Sequence, residues 1–307
     1  MRVAAGSAWE AARPIAQSSW RVVMALNYPR FRRSGSRNKV KPALTAIWDA
    51  PLLAEGDSAN QARDKPALLS ILSRKQDAMD DRSRALMRRV LPRQVVFTLG
   101  LAALMFAAAG TVNYWQGWLF LVTFIGSSVA LGLYFVRHDP ALFERRMKGG
   151  VSAEQEPAQK VIIALLMADL LLMIVVPAFD HRWHWSAVPA WLALLANAGI
   201  VASFVLFFFV MKQNSYAAAT VRVEAEQPVI STGLYGVVRH PMYSGALLLM
   251  ICMPLALGSS WSLLLLILVL PVLVWRLLDE ERVLRRDLPG YADYCRRVHY
   301  RLIPGIW

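Results

Sequence analysis

The sequence predicts an all-α protein, a polytopic transmembrane helical bundle of four spans followed by a C-terminal helical hairpin and a cytosolic C-terminal tail. Three observations predict it. Hydrophobic residues make up 56% of the 307-residue chain, too many for an ordinary soluble domain. Two long stretches, 94–136 and 240–275, contain no Asp, Glu, Lys or Arg. The charge is also segregated: residues 1–93 carry 18 Lys/Arg against 8 Asp/Glu, which leaves 16 against 13 of the chain's 34 and 21 for the remainder. A basic flank beside apolar spans is the positive-inside pattern of a membrane protein and not a nucleic-acid footprint, so no nucleic-acid partner is expected.

The elements follow in order. Residues 1–92 form a basic N-terminal extension. Its first 78 residues show no sustained helical or alternating period, and they read either as a disordered basic tail or as sequence upstream of a true start at Met79. Four transmembrane helices are expected over 93–211. A crossing takes about 20 residues, so the 43 uncharged residues from Gln94 to Val136 hold two, divided near Thr111–Trp118 by polar and aromatic residues suited to an interface. A third span covers 161–179, interrupted by Asp169, an expensive group in lipid that is expected to face the bundle and bond a Ser or Asn. Asp180–Trp185 reads as an interfacial turn, and the His181/His184 pair in it as part of that turn. The fourth span covers about 187–211. Residues 212–307 form the candidate cofactor-binding and catalytic region, with a membrane hairpin over 245–275 broken by Pro254 and Gly258-Ser259-Ser260 into two helices of about 13–15 residues.

Lys and Arg near the span ends set the orientation. Arg82, Arg84, Arg88, Arg89 and Arg93 precede span one. Arg137, Arg145, Arg146, Lys148 and Lys160 lie between spans two and three. Lys212 and Arg222 follow span four, and six arginines from Arg282 to Arg301 occupy the tail, whereas the opposite loops hold Arg182 alone. The N-terminus, the 137–160 loop, the 212–244 segment and the tail are therefore expected to be cytosolic. The two cysteines, Cys252 and Cys295, fall in an apolar run and a basic segment and match no metal-binding or redox spacing, so no metal site is expected. The N-terminus lacks the apolar core and cleavage site of a signal peptide. An excess of Arg (27) over Lys (7) suggests a GC-rich bacterial genome, and with it the inner membrane.

The chemistry-bearing residues cluster between Gln227 and Trp307. Arg239-His240-Pro241-Met242-Tyr243-Ser244-Gly245 opens the hairpin, and Asp279-Glu280-Glu281-Arg282 follows its return, so one mouth of the hairpin receives Arg239 and His240 beside Glu280 and Glu281. This stretch resembles the isoprenylcysteine carboxyl methyltransferase family and its relatives among membrane phospholipid methyltransferases. Gly233, Tyr235, Arg239, His240, Pro241, Tyr243 and Gly245 carry its first motif, Glu280, Glu281 and Leu284 its second, and Tyr291 and Tyr294 its tail. The ending Arg301–Trp307 resembles bacterial members, and Pro140–Arg146 resembles their second cytosolic loop. Family enzymes that act on prenylated proteins carry His where Gln227 stands, two residues before Val229, which points away from a prenylcysteine substrate.

The resemblance implies an S-adenosylmethionine-dependent membrane methyltransferase acting on a lipophilic or membrane-accessible acceptor, whose methylated group is a carboxylate, thiol or amine. The cofactor site implied comprises Gln227, Val229, Gly233, Tyr235, His240, Tyr243, Gly245, Glu280 and Glu281. Aromatic faces suit a sulfonium cation, and carboxylates suit amino and ribose groups. Arg239, His240 and Glu280 are the candidate catalytic residues: Arg239 as a bidentate donor to a carboxylate, His240 as an orienting group or base. Membrane lipids are the remaining partners expected. Two alternatives stand beside this reading. One is an NADPH-dependent membrane reductase of the sterol-reductase type, which would carry Asn before the motif Tyr. The other is a non-catalytic membrane sensor or scaffold.

Overall fold

The computed structural model describes residues 58–147, 149, 157–216 and 227–307, with side chains from residue 80 onward. The expectations for the extension before residue 58, and for Lys148 and Arg222 as flanking charges, fall outside the described residues. The chain divides into two units after Asp64, and the second, Lys65–Trp307, contains the bundle and its cavity. The described residues contain eight α-helices and no strand: α1 (Ser58–Ala109), α2 (Trp115–His138), α3 (Pro140–Met147), α4 (Pro157–Trp183), α5 (Ala190–Gln213), α6 (Pro241–Ala256), α7 (Leu265–Asp287) and α8 (Tyr291–Arg297).

Five stretches are long and apolar enough to cross a membrane: Asp80–Ala109, Trp115–His138, Pro157–Trp183, Ala190–Gln213 and Trp261–Asp287. They make a helical membrane bundle, with apolar side chains exposed on its periphery because lipid is as good a solvent for them as a protein core. Inside, Met105, Tyr114, Phe120, Met173, Ile200, Met253 and Leu257 are all essentially buried and join α1, α2, α4, α5 and α6 into one core.

Three departures from the sequence reading have physical reasons. The backbone is helical from Ser58, earlier than any period in the sequence signals, because 58–79 is rich in Ala, Leu, Lys, Arg and Gln, which favour helix without patterning it. The hairpin runs from Pro241 to Asp287, and its arms are unequal at 16 and 23 residues. The second arm continues past the end of the uncharged run at Trp275 because Arg, Leu and Glu propagate a helix into the charged zone. Asp180–Trp183 belongs to the last turn of α4, and the turn itself begins at His184, with φ 54°.

Asp169 does face the bundle, but neither of its carboxylate oxygens meets a hydrogen-bond partner, so the expected Ser or Asn bond is not made. Asp180 behaves oppositely. Its carboxylate accepts from the Ser186 backbone N–H (2.8 Å), the Ser186 hydroxyl and the Ser259 hydroxyl (2.5 Å). Beside it, the Tyr114 hydroxyl donates to the Leu257 carbonyl at 2.5 Å, while the Tyr114 ring stacks on His181 at 4.1 Å. The hairpin tip is thereby tied to the α4–α5 turn and to the start of α2.

Candidate functional site

At the other end of the hairpin, α5 leaves the bundle and its last residue shapes the next segment. The Gln213 amide oxygen accepts the Leu234 N–H at 3.0 Å. Gly233 stands there at φ +59°, a conformation that favours glycine, and a Cβ on it would lie 2.7 Å from the Gln213 amide and displace it from Leu234. The turn Gly233–Gly236 presents Tyr235, whose hydroxyl accepts from Asn214 at 3.1 Å and whose carbonyl accepts the Tyr294 hydroxyl at 2.7 Å. Burial raises the Tyr235, Tyr291 and Tyr294 phenols above their ordinary range, so all three are neutral near pH 7.

The tail crosses this segment and is stitched to it. The Arg239 N–H donates to the Tyr300 carbonyl, the His240 N–H to the Arg301 carbonyl (both 2.9 Å), and the Ser244 hydroxyl to the Leu302 carbonyl (2.6 Å). All three nitrogens of the Arg239 guanidinium donate within the chain: to the Val298 carbonyl (2.7 Å), the Glu281 carboxylate (3.0 Å) and the Cys295 carbonyl (2.9 Å). Glu281 is buried beneath Arg239 and also accepts from Arg301 at 3.3 Å. His240 caps α6, with Pro241 at the first helical position, where its missing N–H costs nothing. The His240 Nε2 lies 3.4 Å from Glu281 but is not aligned for a hydrogen bond.

A polar layer continues into α7. The Tyr243 hydroxyl donates to the Glu280 carboxylate and also lies beside Arg276. Arg276, itself buried, donates to the Gln159 amide oxygen. The Gln159 amide nitrogen in turn donates to Asp279, which is paired with Arg282 at 2.6 Å.

These groups surround a cavity of about 330 Å³. Of the residues nominated from the sequence, Gln227, Val229, Tyr235, Arg239, His240, Tyr243 and Glu280 line it. Gly233, Gly245 and Glu281 do not. Gly245 serves the bundle instead: a Cβ there would come within 2.7 Å of the Phe207 ring, so it sets the approach of α6 to α5. Glu281 is the counter-ion of Arg239. The geometry therefore gives Arg239 a structural task, joining tail to hairpin, that the motif alone did not indicate.

Residues 191–288 match the phospholipid methyltransferase family. The matched segment begins at the start of α5 and ends just past α7, and it contains both motifs that carry the resemblance in the sequence. The family resemblance is thus borne out, and the match supports a membrane methyltransferase. Arg146, Ile163, Tyr291 and Tyr294 complete the cavity wall from outside the matched segment. Sequence reasoning did not nominate Arg146, Arg276, Asn214 or Tyr216 as lining residues. Arg276 stands four residues, one helical turn, before Glu280, a spacing that could have found it. Arg146 has only the resemblance of Pro140–Arg146 to a cytosolic loop of the family, and no spacing in the sequence places α3 at the cavity.

Proposed function

We propose that the protein is an S-adenosylmethionine-dependent methyltransferase that acts on a lipophilic acceptor at the cytosolic face of a membrane, in the setting expected from composition a bacterial inner membrane. The observation that carries this reading is the coincidence of the matched family segment with a cavity of about 330 Å³ lined by a half-buried Tyr243–Glu280 pair. That volume falls within the range of small-molecule sites, about 300–1,000 Å³.

The residues present fit the cofactor. Tyr235 and Tyr243 supply aromatic faces for a sulfonium, and Glu280 supplies an acceptor for an ammonium or ribose hydroxyls. The bound cofactor supplies an electrophilic methyl group. The chain's own contribution is to hold and orient, and to keep water out of a site walled by Ile163, Met242, Leu284 and Leu288. In this reading Glu280 is the ligand-binding carboxylate, fixed by the Tyr243 hydroxyl so that it need not reorganise on binding. Arg239 and His240 act on it indirectly, by holding the tail and Glu281 behind the cavity wall.

The deciding experiment is isothermal titration of detergent-purified protein with S-adenosylmethionine and, separately, NADPH. Saturable S-adenosylmethionine binding that is lost in Glu280→Ala is the expected result. NADPH binding in its place would make the protein a reductase, and binding of neither would leave a non-catalytic membrane protein.

A further inference from the structure

Among the described residues, two side chains of the cavity wall contain a buried polar atom with no hydrogen-bond partner: the His240 Nε2 and the Tyr291 hydroxyl. The first lies 3.4 Å from the Glu281 carboxylate, so a charge already stands beside it. Tyr291 is the sharper case. It is 4% exposed, and its hydroxyl donates to nothing and accepts from nothing within the chain. Tyr294, three residues on, is buried as deeply, yet its hydroxyl donates to the Tyr235 carbonyl at 2.7 Å. A hydroxyl withdrawn from water without a partner costs free energy, so the group that answers it must come from outside the chain. Tyr291 is a wall residue, and what enters the cavity can reach it.

The surroundings narrow the chemistry of that group. Val229, Leu284 and Leu288 pack with Tyr291 and Tyr294 in one apolar cluster, and all five line the cavity. The two tyrosine rings lie 5.6 Å apart, tilted by 48°. An apolar wall with a single directional donor suits a flat heteroaromatic ring, whose faces bury against the side chains while its edge takes the hydrogen bond. An alkyl chain would leave the hydroxyl unanswered, and a charged headgroup would be stranded against Leu284 and Leu288.

We propose that this wall is the base subsite of the nucleoside cofactor, and that the Tyr291 hydroxyl selects adenine by donating to one of its ring nitrogens. The inference rests on the methyltransferase reading. Tyr291 lies beyond the matched segment, in α8, whose Cys295 carbonyl accepts from Arg239. The ties between tail and hairpin thereby gain a ligand-binding purpose. Burial, reinforced by the Glu281 carboxylate, holds the Tyr291 phenol above its ordinary range, which keeps the proton on the oxygen and the hydroxyl a donor.

S-adenosylhomocysteine and its 1-deaza, 3-deaza and 7-deaza analogues, each with one base nitrogen replaced by C–H, test this by titration of the full chain in nanodiscs. One of the three analogues should bind the wild-type protein about tenfold more weakly than the parent, the margin of one hydrogen bond. Tyr291→Phe, which removes the oxygen alone, should weaken the parent by a similar factor. It should bind the parent and that analogue alike, within about twofold, as a double-mutant cycle on one contact requires. The thermal midpoint of ligand-free Tyr291→Phe should not fall, because the hydroxyl gives up no partner. A variant that binds S-adenosylhomocysteine as tightly as wild type would overturn the proposal. So would one that weakens the parent and all three analogues equally, since the hydroxyl would then act elsewhere than on a ring nitrogen. A lowered midpoint without ligand would make Tyr291 a structural residue instead. These three failures leave the methyltransferase reading standing, whereas a wild-type protein that binds no S-adenosylhomocysteine ends that reading and the base subsite with it.

Discussion

The two ends of the α6–α7 hairpin each set a carboxylate against a hydroxyl, buried at the tip and half-buried at the mouth. At the tip, Asp180 is closed off by Ser186 and Ser259, with three neutral donors on one carboxylate. At the mouth, Glu280 takes the Tyr243 hydroxyl and keeps a cavity wall. Its neighbour Glu281 has four ionisable groups around it: Arg239, His240, Arg285 and Arg301. A carboxylate held by short neutral side chains is a joint. Glu280 instead stands at the wall of an open volume, where the proposed ligand would meet it, and Glu281 behind it is held by the arginines. Substitutions at the two ends should therefore separate stability from ligand affinity.

The largest effect is expected at the mouth. Glu280→Gln keeps the shape and removes the charge, and cofactor binding should fall below detection while the thermal midpoint stays within a few degrees of wild type. Arg239→Ala should also abolish binding, but by another route. It strips the buried Glu281 of its closest cation, leaving Arg301, and removes three ties to the tail and α7, a loss of at most about 3–5 kcal/mol. The double substitution Arg239→Met/Glu281→Met should recover much of that stability and none of the binding, which denaturant unfolding and titration together would reveal. A double substitution no more stable than Arg239→Ala would mean that the backbone ties to Val298 and Cys295, and not the ion pair, hold the tail.

How much of this contrast is legible in the sequence depends on which forces set each part. The spans follow from uncharged runs, since transfer into lipid is decided residue by residue, and α2, α4 and α5 fall within a few residues of where such counting puts them. The mouth follows from the motif residues Tyr235, Arg239, Tyr243 and Glu280, which converge as a hairpin with charged ends must make them converge. The roles within it do not follow. That Glu281 turns from the cavity while Glu280 faces it is a matter of about 100° around a helix whose rotation is set by packing. The Asp180 joint is invisible for a related reason: Ser186 and Ser259 lie 6 and 79 residues from it, and serines carry no pattern that announces a distant partner.

At the tip, Asp180→Ala should lower stability by about 1–3 kcal/mol, since it orphans two serine hydroxyls and a backbone N–H. The affinity for S-adenosylmethionine should not move, because the joint and the cavity lie at opposite ends of the hairpin. A parallel loss of affinity would show instead that the hairpin transmits the state of its tip to its mouth.

The smallest effect is expected from a third carboxylate, which belongs to neither end. Asp169 is buried at 6% exposure midway along α4, with both oxygens unsatisfied. It lies six residues past Ile163, about 9 Å further along the helix at about 1.5 Å per residue, too deep for the polar layer around Gln159 and Arg276 to reach it. A polar group with no partner in such a place costs free energy, so replacing it with an apolar residue of similar size should not destabilise the fold. Asp169→Leu is expected to match or exceed the wild-type thermal midpoint, with unchanged cofactor affinity. A clear loss of stability in lipid nanodiscs that is absent in detergent would reverse that reading and place a lipid group against Asp169. A carboxylate that is a joint at one end of the hairpin and a ligand at the other would then have a third counterpart, satisfied by the membrane itself.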